Sequence, residues 1–393
     1  MMAEESVNDP RFNWWTKLLP AQGGAVTDIY TDASMDNSYT TGGVEGDTLF
    51  VKVAAATIAH FRVGHQVLLR DASDFDVDCT AKVIAVVTNG ASSKITIELL
   101  EDDDNSASHY LADVDTILII GNMNSEGGSR PDAIAYNPTQ WYNFTQIHRT
   151  SLEISRTARK TYLRTGDAYK EAKRECLELH SIEMEKSHIF GQRYEGTGDN
   201  GKPIRASMGL IQAIKYGSDG TSNVGVTADY VNDSSYESQT WLQGGEDWLD
   251  EHLEEIFRYG RNEKLAFCGS GALLGINRLA KAGGQIQLTP KTMEYGIKVL
   301  QWITPFGTIN LKTHPLFSYE ATNRNSMLIF EPQSLKYRYI DDTFFRKAPP
   351  QTESQVSIDG TVEEYVTECG LEFHHPNGWG WLNGLNSTNA YSA

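Results

Sequence analysis

The feature that most limits the fold is one long helical stretch. From Tyr169 onward the residues Tyr169, Ala172, Cys176, Leu179, Ile182 and Ile189 recur at helical spacing, and the positions between them are dense in Lys, Arg and Glu. Thr165 or Asp167 can cap the start, and Gly191 stops it. A helix of about 25 residues is roughly 37 Å long at 1.5 Å per residue. Its apolar stripe is narrow, so one side packs on a core and the rest is exposed or meets neighbours.

The segments around this helix have different character. Residues 1–43 are rich in Gly, Asp, Ser and Thr, with a short apolar knot at Trp14, Trp15, Leu18 and Leu19. They read as an extended arm or as a loose terminus, and the Trp pair favours docking on something, because indoles are seldom left in water. Residues 44–122 carry strand-like runs at Leu49–Val53, Gln66–Arg70, Lys82–Thr88, Ile95–Leu100 and Thr116–Ile120. In the fourth run Ile95, Ile97 and Leu99 alternate with Thr96 and Glu98, the period of a half-buried strand. Asn89-Gly90 marks a turn whose connection is longer than two residues. This is a small all-β module with five basic and thirteen acidic residues, expected to face solvent.

Residues 123–163 open with a Gly/Ser/Pro stretch and continue as an extended β loop from Tyr142 to about Thr157. Residues 164–244 hold the long helix and a Gly/Ser/Asn-rich stretch at 217–235. Residues 245–393 alternate helix and strand. Trp248, Leu249, His252, Leu253, Ile256 and Phe257 form a tight helical stripe ending at Gly260, and Ala272–Ala282 is a second helix. Lys298–Thr304 and Thr308–Thr313 flank Pro305-Phe306-Gly307 as a hairpin, and Met327–Phe330 and Thr361–Phe373 are further strands. The fold class is α+β.

Motifs for chemistry fail on spacing. Gly269-Ser270-Gly271 with Gly275 lies between a strand and a helix, where a nucleotide-binding enzyme places its glycines, but the next apolar stretch, Gln285–Leu288, carries no acid and Glu294 comes too late. A tight strand-to-helix turn explains those glycines. His180, Glu183 and His188 lack the i, i+4 imidazoles of a zinc protease and read as a polar helix face. Asp74, Asp76 and Asp78 alternate as in a calcium loop, yet the positions that need Gly and Glu are Cys79 and Ala85. The four cysteines Cys79, Cys176, Cys268 and Cys369 form no CxxC pair. No catalytic residue, cofactor or metal is expected. The acidic N-terminus lacks the apolar core of a secretory leader, and no run of eighteen apolar residues predicts a membrane span.

Charge is more informative. The chain has 34 basic and 52 acidic residues, a net −18, which excludes wrapping nucleic acid by counterion release; if the protein encloses DNA, it does so as a container that does not grip the phosphates. Against that background residues 149–174 carry eight basic residues, Arg149, Arg156, Arg159, Lys160, Arg164, Lys170, Lys173 and Arg174, and three acids. No run of stacking aromatics is interleaved, as a single-strand groove would need. Unlike patches on one chain suit heterologous contacts between copies, which close into rings. Arg149, Arg156, Arg159, Lys160, Arg164 and Lys170, with Trp14 and Trp15, are therefore the candidate subunit-interface residues.

This order of parts resembles the tailed-phage major capsid proteins of the Hong Kong 97 fold, in the branch of the head protein of the elongated-head coliphage SU ten. The stretches Asn143-Phe144-Thr145-Gln146-Ile147 and Leu152-Glu153-Ile154-Ser155-Arg156-Thr157 look like that branch's E-loop strand, and Arg164–Gly191 like its spine helix. Ile358-Asp359-Gly360-Thr361-Val362 and Glu368-Cys369-Gly370-Leu371-Glu372 resemble its closing strands. The hairpin Trp302–Leu311 and the strand Met327–Glu331 fit its axial domain. The resemblance covers roughly residues 123–390, and the 44–122 module departs from it as an insertion expected on the outer surface. It implies an N-terminal arm, an E-loop, a spine helix, and peripheral and axial domains. It also implies hexamers and pentamers of many copies in an icosahedral virion capsid around double-stranded DNA, built in the bacterial cytoplasm with scaffold and portal proteins and possibly a decoration protein. A tail-tube or decoration protein is the other virion reading. Some members cross-link Lys to Asn, and no residue pair here singles itself out for that.

Overall fold

The computed structural model describes residues 3–17, 22–74, 76–103, 110–128, 130–131, 133–134, 137–160, 162–163, 166–217, 224–283, 288–292, 298–347 and 360–391. The chain divides into two compact units, residues 17–139 and residues 1–16 with 140–393.

The first unit is a closed six-stranded antiparallel barrel. Its strands follow the order Gly23–Tyr30, Thr48–Val53, Lys94–Leu99, Asp78–Val87, His65–Arg70 and Thr116–Asn122, and the last pairs back with the first. Alternation fills the interior with Leu49, Val51, Val67, Leu69, Ala81, Val83, Ile95, Ile97 and Ile117. Closure leaves no strand edge open to pair with another chain. The barrel starts earlier than the expected 44–122, because Gly23–Tyr30 belongs to it and not to an arm of 1–43. That strand was masked by its glycines, its acid Asp28 and a bulge between Val26 and Asp28 that breaks the alternation. Gly90–Ser92 forms the longer connection expected after Asn89.

The second unit holds two sheets and their helices. A four-stranded sheet has the order Ala3–Ser6, Leu335–Arg346, Gly360–Phe373 and Gln146–Ser155. A seven-stranded mixed sheet has the order Val226–Asp229, Gly380–Asn383, Met327–Phe330, Glu263–Cys268, Thr308–Thr313, Lys298–Ile303 and Leu288–Thr292. Helices Trp241–Phe257 and Ser270–Gly283 cover this second sheet through Trp248, Leu249, Leu253, Ile256, Ala272 and Ile276, all buried. The expected block 245–393 is thus split, since its strands Leu335–Arg346 and Gly360–Phe373 pair with the extended loop strand instead. Of the arm, strand Arg11–Thr16 forms a two-stranded sheet with Thr139–Phe144. Ile358 and Asp359, and Leu18 and Leu19 of the apolar knot, lie outside the described residues.

The long helix is Ala168–Phe190, packed on one face of the four-stranded sheet. The Asp167 side chain accepts from the Tyr169 N–H at 3.0 Å, and Gly191 is the C-cap. Thr165, the alternative cap, is outside the described residues. The expected stripe is corrected in the middle. Cys176 and Ile189 are buried, but Leu179 and Ile182 are exposed, and His180 takes their place against the sheet. Losing a cap of this kind costs about 1 kcal/mol. Asp167→Ala is expected to lower the chemical-denaturation midpoint by that small amount, with the first helical turn gaining amide exchange and the barrel unaffected.

Candidate assembly interface and the seam beneath it

The basic residues lie where the strand Gln146–Ser155 runs into the helix. Arg149 projects from the open face of the strand and donates to Glu364 Oε2 at 2.9 and 2.7 Å. Arg346 is a second ion partner of Glu364. After Ser155 the chain makes a short helix, Arg156–Lys160, with every side chain exposed. The Arg159 guanidinium sits 5.2 Å from the Tyr169 ring centre. The Tyr169 hydroxyl donates to Glu363 at 2.5 Å, and this bond first, then burial, pushes the phenol up to about 12. Lys170 is exposed in the first helical turn, and Lys173 lies 3.8 Å over the Phe345 ring. Arg164 lies outside the described residues.

The two tryptophans part company. Trp15 is 59% exposed, whereas Trp14 is buried by its own chain, stacked on Phe12 and Trp141 with its edge on Phe373. Trp14 is thereby corrected from interface to core, because alternation along Arg11–Thr16 turns Phe12, Trp14 and Thr16 inward.

Sequence reasoning missed Arg346 and Lys347. They join Arg149, Ser151, Val362, Glu363 and Glu364 around an open cavity of about 440 Å³. Only strand pairing brings residue 346 opposite 364, and no local pattern reveals it. Exposed Phe344 and Val362 add apolar surface to the same sheet.

Beneath this rim, between helix and sheet, runs a buried polar seam. It corrects the reading of His180 and His188 as a polar helix face. His180 is fully buried, His148 nearly so, and their rings are 6.5 Å apart, as are those of His148 and His188. Burial holds all three imidazoles below the usual histidine range, His188 at about 4. Cys369 Sγ lies 3.7 Å from His188 Nε2, and burial pushes its thiol up to about 11. Among the described residues no cluster of three or more His, Cys, Asp or Glu has the geometry to hold a metal ion.

The Gly269 turn is closed by the chain itself. The N–H groups of Gly271 and Ala272, which would face a phosphate, donate to the Arg324 carbonyl at 3.0 and 3.1 Å. A Cβ on Gly275 would meet Asn386 at 2.7 Å. These glycines serve close packing, as the tight-turn reading expects.

An arm strand, an extended loop strand, a long helix laid on a sheet and a seven-stranded α+β domain together make a shell-type architecture, Hong Kong 97-like in its order of parts. The model of the SU10 major capsid protein family matches residues 1–386, and the chain belongs to that family. It is 26% identical over 290 residues to the major capsid protein of Pseudomonas phage PaMx41, covering 68% of this chain and 65% of that protein. The alignment therefore spans just under two thirds of that relative's length. Among solved structures, the SrpI encapsulin of Synechococcus elongatus PCC 7942 is similar with 13% identity and a TM-score of 0.42, covering 67% of this chain and 81% of that one. The capsid of Cyanophage P-SCSP1u is similar with 10% identity and a TM-score of 0.41, covering 68% and 81%. No described helix is long and apolar enough to cross a membrane.

Proposed function

We propose that this protein is the repeating unit of a phage head, with a structural and not a catalytic role. Many copies join as hexamers and pentamers into an icosahedral shell that encloses double-stranded DNA without reading its sequence. The family match over residues 1–386 carries this reading. Charge supports it. The barrel unit, residues 17–139, has seven basic and eighteen acidic residues, a net −11 of the total −18, so the rim at Arg149 to Lys170 has a complementary surface on every other copy. Assembly takes place in the bacterial cytoplasm with scaffold and portal proteins. The barrel faces outward or toward a neighbouring capsomer, where it takes the place of a decoration protein.

Electron microscopy of the purified chain, alone and with its scaffold, tests this. Shells, sheets or capsomers are expected. A chain that stays monomeric in every condition and melts higher with a nucleotide would overturn it. Reversal of Arg156, Arg159 and Lys160 to Glu is expected to abolish closed shells while leaving the subunit folded, at a cost of no more than about 1.5 kcal/mol for three exposed substitutions. Normal shells from that triple variant would remove these residues from the interface.

A further inference from the structure

We infer that the histidine seam under the long helix is a proton-operated joint, which holds the helix on the four-stranded sheet at neutral pH and lets it part from the sheet in acid while the rest of the unit stays folded.

The hydrogen bonds give the seam a direction. Thr150 donates to Glu183 Oε2 at 3.2 Å, so its oxygen takes the Nδ1–H of His180 at 3.0 Å. His180 Nε2 is then an acceptor and receives the Thr367 hydroxyl at 2.8 Å. Thr367 in turn accepts from Thr343 at 2.8 Å. One neutral imidazole thus ties the helix to three strands. A first proton can be held here, because the Thr367 and Thr343 hydroxyls can turn round and Glu183 stands beside it. Further protons have no such place. His148 Nε2 is buried and has no hydrogen-bond partner among the described residues. His188 faces the neutral Cys369 thiol and the Tyr337 ring, 6.1 Å away. A second imidazolium, on His148, would sit 6.5 Å from a first on His180 in a buried seam.

The facing groups do not undo this. The helix contributes Cys176 and Glu183, and the strand Gln146–Ser155 contributes Thr150. The strand Gly360–Phe373 contributes Tyr365, Thr367 and Cys369, with Glu368 acting at Cys369. The strand Leu335–Arg346 contributes Tyr337 and Thr343, with Asp342 acting at Tyr337 and Cys369, and Glu4 of strand Ala3–Ser6 acting at Tyr337. Glu183 favours protonation of His148 and His180, and burial outweighs it at both.

The sign follows. Imidazoles depressed in the closed state bind fewer protons than exposed ones. The closed state is therefore fully favoured above about pH 6.5 and loses ground as the pH falls toward the His188 value of about 4. The joint can yield first because little apolar surface holds it. Along most of the helix the only buried residues are Cys176 and His180, and the core cluster there is Leu152, Cys176 and Tyr365, while Ile189 and Phe190 pin the C-terminal end in the larger aromatic core and act as the hinge.

The four cysteines report the outcome. Cys176 and Cys369 line the seam, while Cys79 lies in the barrel core and Cys268 in the seven-stranded core, and all four are buried and free. The unassembled full-length chain is labelled with a pyridyl disulfide that reacts in acid, each site is quantified by peptide mass, and rates are divided by those of the unfolded chain at the same pH. Between about pH 7.5 and about pH 4.5, Cys176 and Cys369 are expected to gain about a hundredfold over Cys79 and Cys268, at about tenfold per pH unit per proton. A His148→Asn, His188→Asn variant is expected to lose most of that slope. Parallel rises at all four cysteines, no rise at Cys176 and Cys369, or an unchanged slope in the variant would each overturn the joint. Should the double variant fail to fold, His188→Asn alone is expected to lower the slope by up to one proton, and an unchanged slope there would likewise overturn the joint.

Discussion

Glu331→Ala is expected to cost the larger unit about 3–5 kcal/mol, the scale for removing one partner of a buried ion pair. Lys264 on strand Glu263–Cys268 has a wholly buried side chain. Its ammonium donates to Glu331 Oε1 at 3.0 Å, to the Tyr259 carbonyl at 3.0 Å and to the Gly378 carbonyl at 2.9 Å. Glu331 also accepts from the Arg261 N–H at 2.8 Å and from Ser334 at 3.2 Å, so its loss leaves a buried cation and a loop without their acceptor. Burial already holds the Lys264 amine below the usual lysine range. Without the carboxylate it falls further. The unfolded chain then binds the extra proton between the lowered value and the ordinary one of about 10.4, so the variant's deficit shrinks as pH rises through that window. All eight tryptophans lie outside residues 17–139, so tryptophan fluorescence in a urea titration follows this unit alone. A loss below about 1 kcal/mol would mean that the two carbonyls suffice for the ammonium. Lys264→Met with Glu331→Leu is expected to restore most of the stability, since an apolar pair of similar volume often matches a buried ion pair.

Local pattern made some of the molecule legible and hid the rest for one physical reason. The helix ends at Asp167 and Gly191, the hairpin around Pro305-Phe306-Gly307 and the strands Thr48–Val53 and Lys94–Leu99 depend on neighbours in sequence, and the pattern shows them. The burial of His180 in place of Leu179 depends on Thr150 and Thr367, distant in sequence and adjacent only after strand pairing. Arg149 looks free in the sequence and is held by Glu364, which Arg346 shares. The basic rim is thus less cationic than its composition, although Arg149 is exposed like Arg156, Arg159, Lys160 and Lys170. Lys264 carries no local sign of burial beyond its place in a strand, because its partners come from residues 259, 331 and 378.

Excising residues 17–138 is expected to leave two proteins that each fold. The barrel leaves the larger unit after strand Arg11–Thr16 and returns at strand Thr139–Phe144, and these two strands pair. Pro10 O accepts from Thr145 N at 2.8 Å and Trp14 stacks on Trp141, an antiparallel register that sets Thr16 opposite Thr139. A two-residue Asn-Gly turn can therefore close the gap, as in ordinary hairpins. The fold of the remainder does not need the barrel for its cores, because Phe12, Trp14, Trp141, Phe373 and Trp379 lie together in residues 1–16 and 140–393. The barrel in turn has its own closed sheet and its own core of Val51, Val67, Leu69, Ile95 and Ile97. An insert whose ends are already adjacent adds little closure entropy to its host, so removing it changes host stability by about 1 kcal/mol or less. The excised chain is expected to keep its cooperative tryptophan transition, and the isolated barrel, which lacks tryptophan, to melt cooperatively by circular dichroism. Loss of either transition would show that the two units fold only together. If both survive, microscopy of the excised chain separates the two uses of the barrel. Shells that still close would make it an outward module, and capsomers that form without closing would make it a contact between capsomers.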